Sequence, residues 1–444
     1  MPMKLFGTDG IRGRANQHPI TAELALRLGR AVADVLGGPG GSVVIGRDTR
    51  CSGPMLERAA SAGVLAAGMN VLDAGVVPTP AVAHRVRHSD ASAGIMITAS
   101  HNPWQDNGLK VFGDDGYKLD DALEARIEAI LLDGTAPGGG DAIGTMLACD
   151  DAAAHYAGSI RDAAAGTDLR GMKLVVDCGN GAASAIAPDL FSTLGAEVIV
   201  LGNQPDGRNI NDGCGALHPQ LAAAAVRAHG ADLGVSLDGD ADRCIFTDAD
   251  GQTVSGDRIL GLCAAGLQRE GRLEKNTVVV TVMSNLGLAA SLEPHGIRVE
   301  TTAVGDRHVI ERMRSGGFSF GGENSGHLVF AAHATTGDGI LSALQVLRLM
   351  KREDATLAEL ARGFDEYPSR LMNLEVAAKP PLESLPALTA LMREADAAFG
   401  RHGRHLIRYS GTESRIRILV EHRDAAECER WTARFADAVH NELE

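Results

Sequence analysis

Short runs of Val, Ile and Leu alternate with Ala- and Leu-rich stretches, and the alternation recurs three times. Ser42-Val43-Val44-Ile45-Gly46-Arg47-Asp48 precedes a helical stretch at 54–67, then Gly68 and Val71-Leu72. Lys173-Leu174-Val175-Val176-Asp177 precedes 184–194, then Gly195 and Val198-Ile199-Val200. Thr277-Val278-Val279-Val280-Thr281 precedes 286–292, then Gly296 and Val299. Continuous β-branched runs separated by helices predict parallel strands buried on both faces. The glycine after each helix suits a left-handed C-terminal cap. Such spacing marks a repeated structural unit.

Each copy continues into one more strand and an unusual loop. Ala93-Gly94-Ile95-Met96-Ile97 leads into Thr98-Ala99-Ser100-His101-Asn102-Pro103. Asp232-Leu233-Gly234-Val235-Ser236-Leu237 leads into Asp238-Gly239-Asp240-Ala241-Asp242-Arg243. Phe318-Ser319-Phe320 leads into Gly321-Gly322-Glu323-Asn324-Ser325-Gly326-His327. Ligands of open α/β sheets bind beyond the carboxyl ends of strands, so the three loops are expected to share a central cleft. From about 366 the repeat stops. A Lys379-Pro380-Pro381 linker, a helix near 386–399, a turn at 409–413, an alternating strand at 415–420 and a final amphipathic helix read as a smaller α+β domain. The expected fold is three related α/β domains (1–150, 151–253, 254–366), with mixed, mostly parallel sheets, plus a C-terminal α+β domain (367–444). A Gly- and Pro-containing stretch at 134–144 reads as a surface loop near the end of the first.

A chain of 444 residues is too long for one core. Its formal charge of −15 argues against nucleic acid as a partner, because a phosphate backbone needs a basic surface. A small phosphorylated ligand needs only a local cluster of cations and N–H groups. Cys51, Cys149, Cys178, Cys214, Cys244, Cys263 and Cys428 form no CxxC pair and read as reduced thiols. Residues 1–10 carry no charged-then-apolar leader, and no window reaches the ~20 apolar residues of a membrane span. A cytoplasmic chain without a membrane partner is expected.

Asp238, Asp240 and Asp242 repel one another unless something positive neutralises them, and a hard cation such as Mg²⁺ suits that cluster. One Asp-Gly would be an ordinary surface turn; three acids spaced by two after a buried strand are not. An EF-hand does not fit, because Arg243 and Ala249 stand where Gly and Glu are needed. Asp248-Ala249-Asp250-Gly251 reads as a hairpin turn. Ser100 gains weight from its position, in the loop equivalent to the Asp cluster, since a Ser–His pair adjacent in sequence need not face each other. Arg408, Ser410, Gly411, Thr412 and Arg417 combine forked cations, hydroxyls and a glycine that lets backbone N–H groups approach an anion. A polar hairpin turn with surface arginines accounts for the same residues equally well. Phe6-Gly7-Thr8-Asp9-Gly10-Ile11-Arg12-Gly13 could cradle phosphate but matches neither a Walker A loop nor a dinucleotide fingerprint.

Together the loops at 98–103, 238–243, 321–327 and 408–413 closely resemble the signatures of the α-D-phosphohexomutase superfamily, in order and over essentially the whole chain. Phe6 to Gly13, Val304-Gly305-Asp306-Arg307 and Glu323-Asn324-Ser325 resemble the branch acting on glucosamine phosphate, whereas Tyr409 and Ser414 depart from that branch's usual residues.

The resemblance implies a phosphoserine at Ser100, with Mg²⁺ held by Ser100, Asp238, Asp240 and Asp242. Lys110 would be the general base, its pKa depressed by a nearby cation. Arg12, His101 and Arg243 would support the transferred phosphoryl group. Glu323 and Ser325 would bind sugar hydroxyls, Asn324 the 2-amino group, and His327 phosphate or sugar. Arg408, Ser410, Gly411, Thr412 and Arg417 would hold the distal phosphate. A sugar 1,6-bisphosphate would be intermediate and activator, the partner a small sugar phosphate, and a homodimer would form through domain one. The competing readings are a phosphomannomutase/phosphoglucomutase, a Mg²⁺-dependent phosphatase and a non-enzymatic binding protein. The dehalogenase-type phosphatase pattern wants Thr or Val where Asp242 stands.

Overall fold

The computed structural model describes residues 5–133, 141–410 and 414–443. The chain forms two units, one of residues 1–282 with 299–361, the other of 283–298 with 362–444.

The first unit carries three sheets built to one plan. Ser42–Arg47 is flanked in parallel by Asn70–Val76 and Ala93–Ile97, and Asp106–Gly113 returns antiparallel beside the latter. Lys173–Asp177 is flanked in parallel by Glu197–Leu201 and Leu233–Leu237, with Cys244–Asp248 returning antiparallel. Thr277–Thr281 runs parallel to Phe320–Gly322, and Leu328–Phe330 returns antiparallel. The three loops singled out above therefore occupy one topological position, between a buried strand and its antiparallel return. Ile11–Arg14 and Met146–Ala148 form the edges of the first sheet.

Helix formation follows burial and local stops. Ala22–Leu36 is capped by Thr21, whose side chain accepts from Leu24 N, and buries Leu24, Leu28 and Val32 on one stripe. It lies close on Gly53–Ala66 because glycines stand at the crossing: a Cβ at Gly29 would come within 2.0 Å of Ala60 O. Gly68, Gly195 and Gly296, at φ 82°, 101° and 68°, adopt the left-handed conformation expected after each helix. Two elements differ from expectation. The helix expected at 184–194 is only Ala187–Thr193, because Pro188 is tolerated in a first turn but not inside a helix. The strand expected at 318–320 is Phe320–Gly322, since glycines 321 and 322 still pair with Val279 and Val280.

In the second unit Arg415–His422 is the centre of a three-stranded antiparallel sheet, between Ser369–Glu375 and Gly403–Tyr409. Helices Pro386–Phe399 and Ala425–Leu443 cover it, burying Leu388, Phe399, Ile416, Ile418, Trp431 and Phe435. Helix Leu286–Leu292 also belongs here: Leu286 N donates to Glu421 Oε2 at 2.9 Å, and Asn285 exchanges hydrogen bonds with Tyr367. Residues 134–140 of the expected loop lie outside the described residues. No helix among the described residues is long and apolar enough to cross a membrane.

Candidate active site

Ser100 follows strand Ala93–Ile97 and is fully buried. Its φ of 53° is left-handed, a conformation costing a non-glycine residue roughly 1–2 kcal/mol. That backbone turns Oγ toward the loop after Leu233–Leu237, where it donates to Asp238 Oδ2 at 2.5 Å. Asp238, Asp240 and Asp242 are all buried and can present oxygens within 4.8 Å of one another. Burial, then Asp242 and Asp240, pushes the Asp238 carboxyl well above its ordinary range. Among the described residues, Oδ1 of Asp240 and Oδ1 of Asp242 are buried without a hydrogen-bond partner. Three crowded acids with two buried oxygens that accept no hydrogen bond fit a metal ion bound through oxygen.

Lys110 projects from strand Asp106–Gly113 into the same cluster. Its Nζ lies 2.9 Å from Asp240 Oδ2, 3.0 Å from Asp242 Oδ2 and 3.2 Å from Asp9 Oδ2. The depressed pKa expected of Lys110 was tied to a nearby cation, and the acids alone act in the opposite direction. Burial alone would lower the pKa, but Asp240, Asp242 and Asp9 outweigh burial and hold the ammonium charged.

Asp9, Lys118 and Asp306, three residues with no assigned role, join His327 in this electrostatic arrangement. Lys118 Nζ pairs with Asp9 Oδ1 and lies 2.5 Å from Asp306 Oδ2. His327 lies between Asp306 Oδ2, 3.4 Å from Nε2, and Asp242 Oδ1, 3.6 Å from Nδ1. Gly337 N lies 3.0 Å from Nε2; burial alone would lower the His327 pKa, but Asp242 and Asp306 outweigh it and hold it above its ordinary value. Asp242, Lys110, Asp9, Lys118, Asp306 and His327 thus close a ring that joins all three repeats. Asp9 and Asp306 stood inside quoted motifs; nothing in the sequence singled out Lys118.

On the open side of the cluster, Arg12 pairs with Asp9. Arg243 donates from its backbone to Asp238 Oδ1 at 3.1 Å and from Nη1 to His101 Nδ1 at 2.7 Å. Burial, Arg243 and Arg12 lower the His101 pKa to about 4, so the ring is neutral with Nε2 as its donor. Ser100 Oγ stands 3.4 Å from His101 Nδ1. Arg12, His101 and Arg243 therefore give donors and positive charge beside a buried hydroxyl, a setting for a phosphoryl group.

Glu323 to His327 form a tight turn, with Glu323 N bonded to His327 O at 2.9 Å. Gly326, at φ 89°, is needed there because a Cβ would sit 2.4 Å from Cys244 O. Glu323 Oε1 accepts from Gly305 N at 3.2 Å, Asn324 is exposed, and Ser325 Oγ is buried without a partner among the described residues. In the second unit, Arg408 and Arg417 stand directly opposite across the Gly403–Tyr409 and Arg415–His422 ladder. Like charges in that relation are destabilising unless a counter-charge lies beside them. Ser410, next after Gly403–Tyr409, donates its N–H to Arg415 O at 2.8 Å. Gly411 and Thr412 lie outside the described residues.

Four family models of known proteins match successive segments of the chain. Phosphoglucomutase/phosphomannomutase family models match alpha/beta/alpha domain I at 3–137, domain II at 154–251, domain III at 255–367 and the C-terminal domain at 371–438. The chain belongs to this family. It is a phosphohexomutase, an isomerase with three α/β domains and a smaller C-terminal one. A phosphoglucosamine mutase from Cereibacter sphaeroides is 51% identical, covering 96% of each chain. One from Geotalea daltonii is 47% identical, over 99% of this chain and 98% of the relative. Among solved structures, a phosphoglucomutase/phosphomannomutase family protein from Burkholderia thailandensis is similar with a TM-score of 0.82 and 28% identity, covering 98% of this chain and 97% of that one.

Proposed function

We infer that this protein interconverts glucosamine 6-phosphate and glucosamine 1-phosphate through a phosphoserine at Ser100 and glucosamine 1,6-bisphosphate. The observation that carries the reading is the buried Ser100 hydroxyl, 2.5 Å from a carboxylate of the Asp cluster. The amino-sugar assignment is supported by near-full-length relatives bearing that activity's name at 47% and 51% identity. Such a product feeds nucleotide-sugar and cell-wall synthesis.

A phosphoserine carries about −1.5 to −2 charges near neutral pH, and Ser100 has acids on one side. Mg²⁺ held by Asp238, Asp240, Asp242 and a Ser100 phosphate oxygen would supply charge neutralisation and polarise the phosphoryl group. Arg12, Arg243 and the Nε2–H of His101 bind the outer phosphoryl oxygens. Lys110 takes the proton of the attacking sugar hydroxyl. When Asp240 and Asp242 are engaged by a cation their pull on its ammonium weakens, the direction a base requires. Glu323 and Ser325 orient the sugar hydroxyls, Asn324 meets the 2-amino group, and His327 is held by Asp242 and Asp306 for phosphate or sugar contact. Arg408, Ser410, Gly411, Thr412 and Arg417 grip the non-reacting phosphate, whose binding energy orients the reacting end. The reading includes a cytoplasmic location and a homodimer through the first domain.

A coupled assay comparing three hexose 6-phosphates tests the substrate. Glucosamine 6-phosphate is expected to show kcat/KM at least about tenfold above glucose 6-phosphate and mannose 6-phosphate, since a site that hydrogen-bonds an amino group discriminates against its absence. A higher value for mannose 6-phosphate would overturn the assignment in favour of a phosphomannomutase/phosphoglucomutase.

A further inference from the structure

We propose that the buried pair Asp48–Arg50, acting through Thr98 and aided by Asn211, positions Ser100 for phosphoryl transfer; this rests on Ser100 being the phosphorylated residue. Arg50 is fully buried behind the serine loop. Its guanidinium donates to three carbonyl oxygens of that loop. Nη2 reaches Ser100 O and Asn102 O, each at 2.9 Å, and Nη1 reaches Pro103 O at 2.6 Å. Nε is held by Asp48 Oδ2 at 2.9 Å. The same Asp48 oxygen accepts from Thr98 Oγ1 at 2.6 Å, and Thr98 Oγ1 in turn accepts from Ser100 N at 2.9 Å. Both the N–H and the C=O of Ser100 are therefore tied to one buried ion pair. Asn211, from the second repeat, donates from Nδ2 to Ser100 O at 3.0 Å and Asn102 O at 3.1 Å.

The consequence is orientational. Ser100 sits in the left-handed region without being glycine, so its backbone is retained by the bonds around it. Peptide rotation at that residue would swing Oγ away from Asp238. Among the described residues the pair forms no hydrogen bond to the acids at 238–242 or to Lys110, so its direct hold is on the serine loop, beside a longer-range repulsion between Asp48 and Asp240. Arginine is required because its planar fork serves several acceptors at once, whereas a lysine keeps the charge but not the fork.

The test is the single-turnover rate of phosphate transfer from glucosamine 1,6-bisphosphate to Ser100 in full-length Arg50→Lys. Mn²⁺ affinity and the KM for glucosamine 6-phosphate are measured alongside. Transfer slowed by about tenfold or more, with Mn²⁺ affinity and KM within about twofold of wild type, is expected, because misplacing a reacting atom by about 1 Å costs on the order of 100-fold. Unchanged transfer in a folded variant overturns the proposal. So does slowing matched by an equal loss of Mn²⁺ affinity, which marks general disruption. Should Arg50→Lys fail to fold, Asn211→Ala is judged by the same criteria. If wild-type protein takes no phosphate on Ser100, it is the phosphoserine reading that falls, and the clamp falls with it.

Discussion

Ser100→Ala is expected to lower mutase turnover by at least about 10⁴-fold, on the scale seen when a covalent nucleophile is removed. The loss should fall on kcat, because the residues proposed to hold the sugar and the distal phosphate are untouched. Folding should survive: the substitution deletes one hydroxyl whose hydrogen-bond partners among the described residues are Asp238 Oδ2 and His101 Nδ1. Thr98 still accepts from the backbone N–H and Arg50 still donates to the carbonyl. The expected result is a cooperative unfolding transition near that of wild type, with glucosamine 1-phosphate formation at background in a coupled assay. A variant retaining a tenth of the activity would show that the phosphoryl group travels by another route.

The second large effect is expected at the acid cluster. Asp240→Asn removes a charge from a site where Lys110 Nζ is 2.9 Å and Thr79 Oγ1 2.5 Å from Oδ2 and where Oδ1 is buried without a partner among the described residues. The variant should need far more Mg²⁺ for half-maximal activity. Its turnover should fall by on the order of 10³-fold, since Lewis-acid stabilisation of phosphoryl transfer is worth several kcal/mol. Wild-type protein stripped with a chelator should lose activity to a similar extent and recover it with Mg²⁺. Activity indifferent to chelation would remove the metal from the account. Asn in place of Asp240 also releases one of three acids holding Lys110, so the ammonium pKa should move down toward its ordinary value.

Much of the fold was legible because the Val and Ile runs at 43–45, 174–176 and 278–280 are buried on both faces, and such strands carry no polar alternation to confuse them. The loops could be located by their place after the next strand, which is how Ser100, the Asp trio and His327 were found. What was not legible depends on contacts between repeats. The charge state of Lys110 is set by Asp9, Asp240 and Asp242, two of which come from another sheet. Lys118 reads as a surface lysine until Asp306 is brought to 2.5 Å from it. Arg50 was hidden for the same reason: Arg47-Asp48-Thr49-Arg50 at a strand end looks like a solvated turn, yet its guanidinium is wholly buried under the serine loop. Helix 286–292 has the spacing of its repeat but groups with the C-terminal sheet, through Glu421 and Tyr367.

The most direct measurement is peptide mapping after brief exposure of Mg²⁺-loaded protein to glucosamine 1,6-bisphosphate carrying radiolabelled phosphate. Label confined to the peptide containing Ser100, and chased off by unlabelled glucosamine 6-phosphate, is the predicted result. Label on any other residue, or its appearance only as free phosphate, would contradict the account.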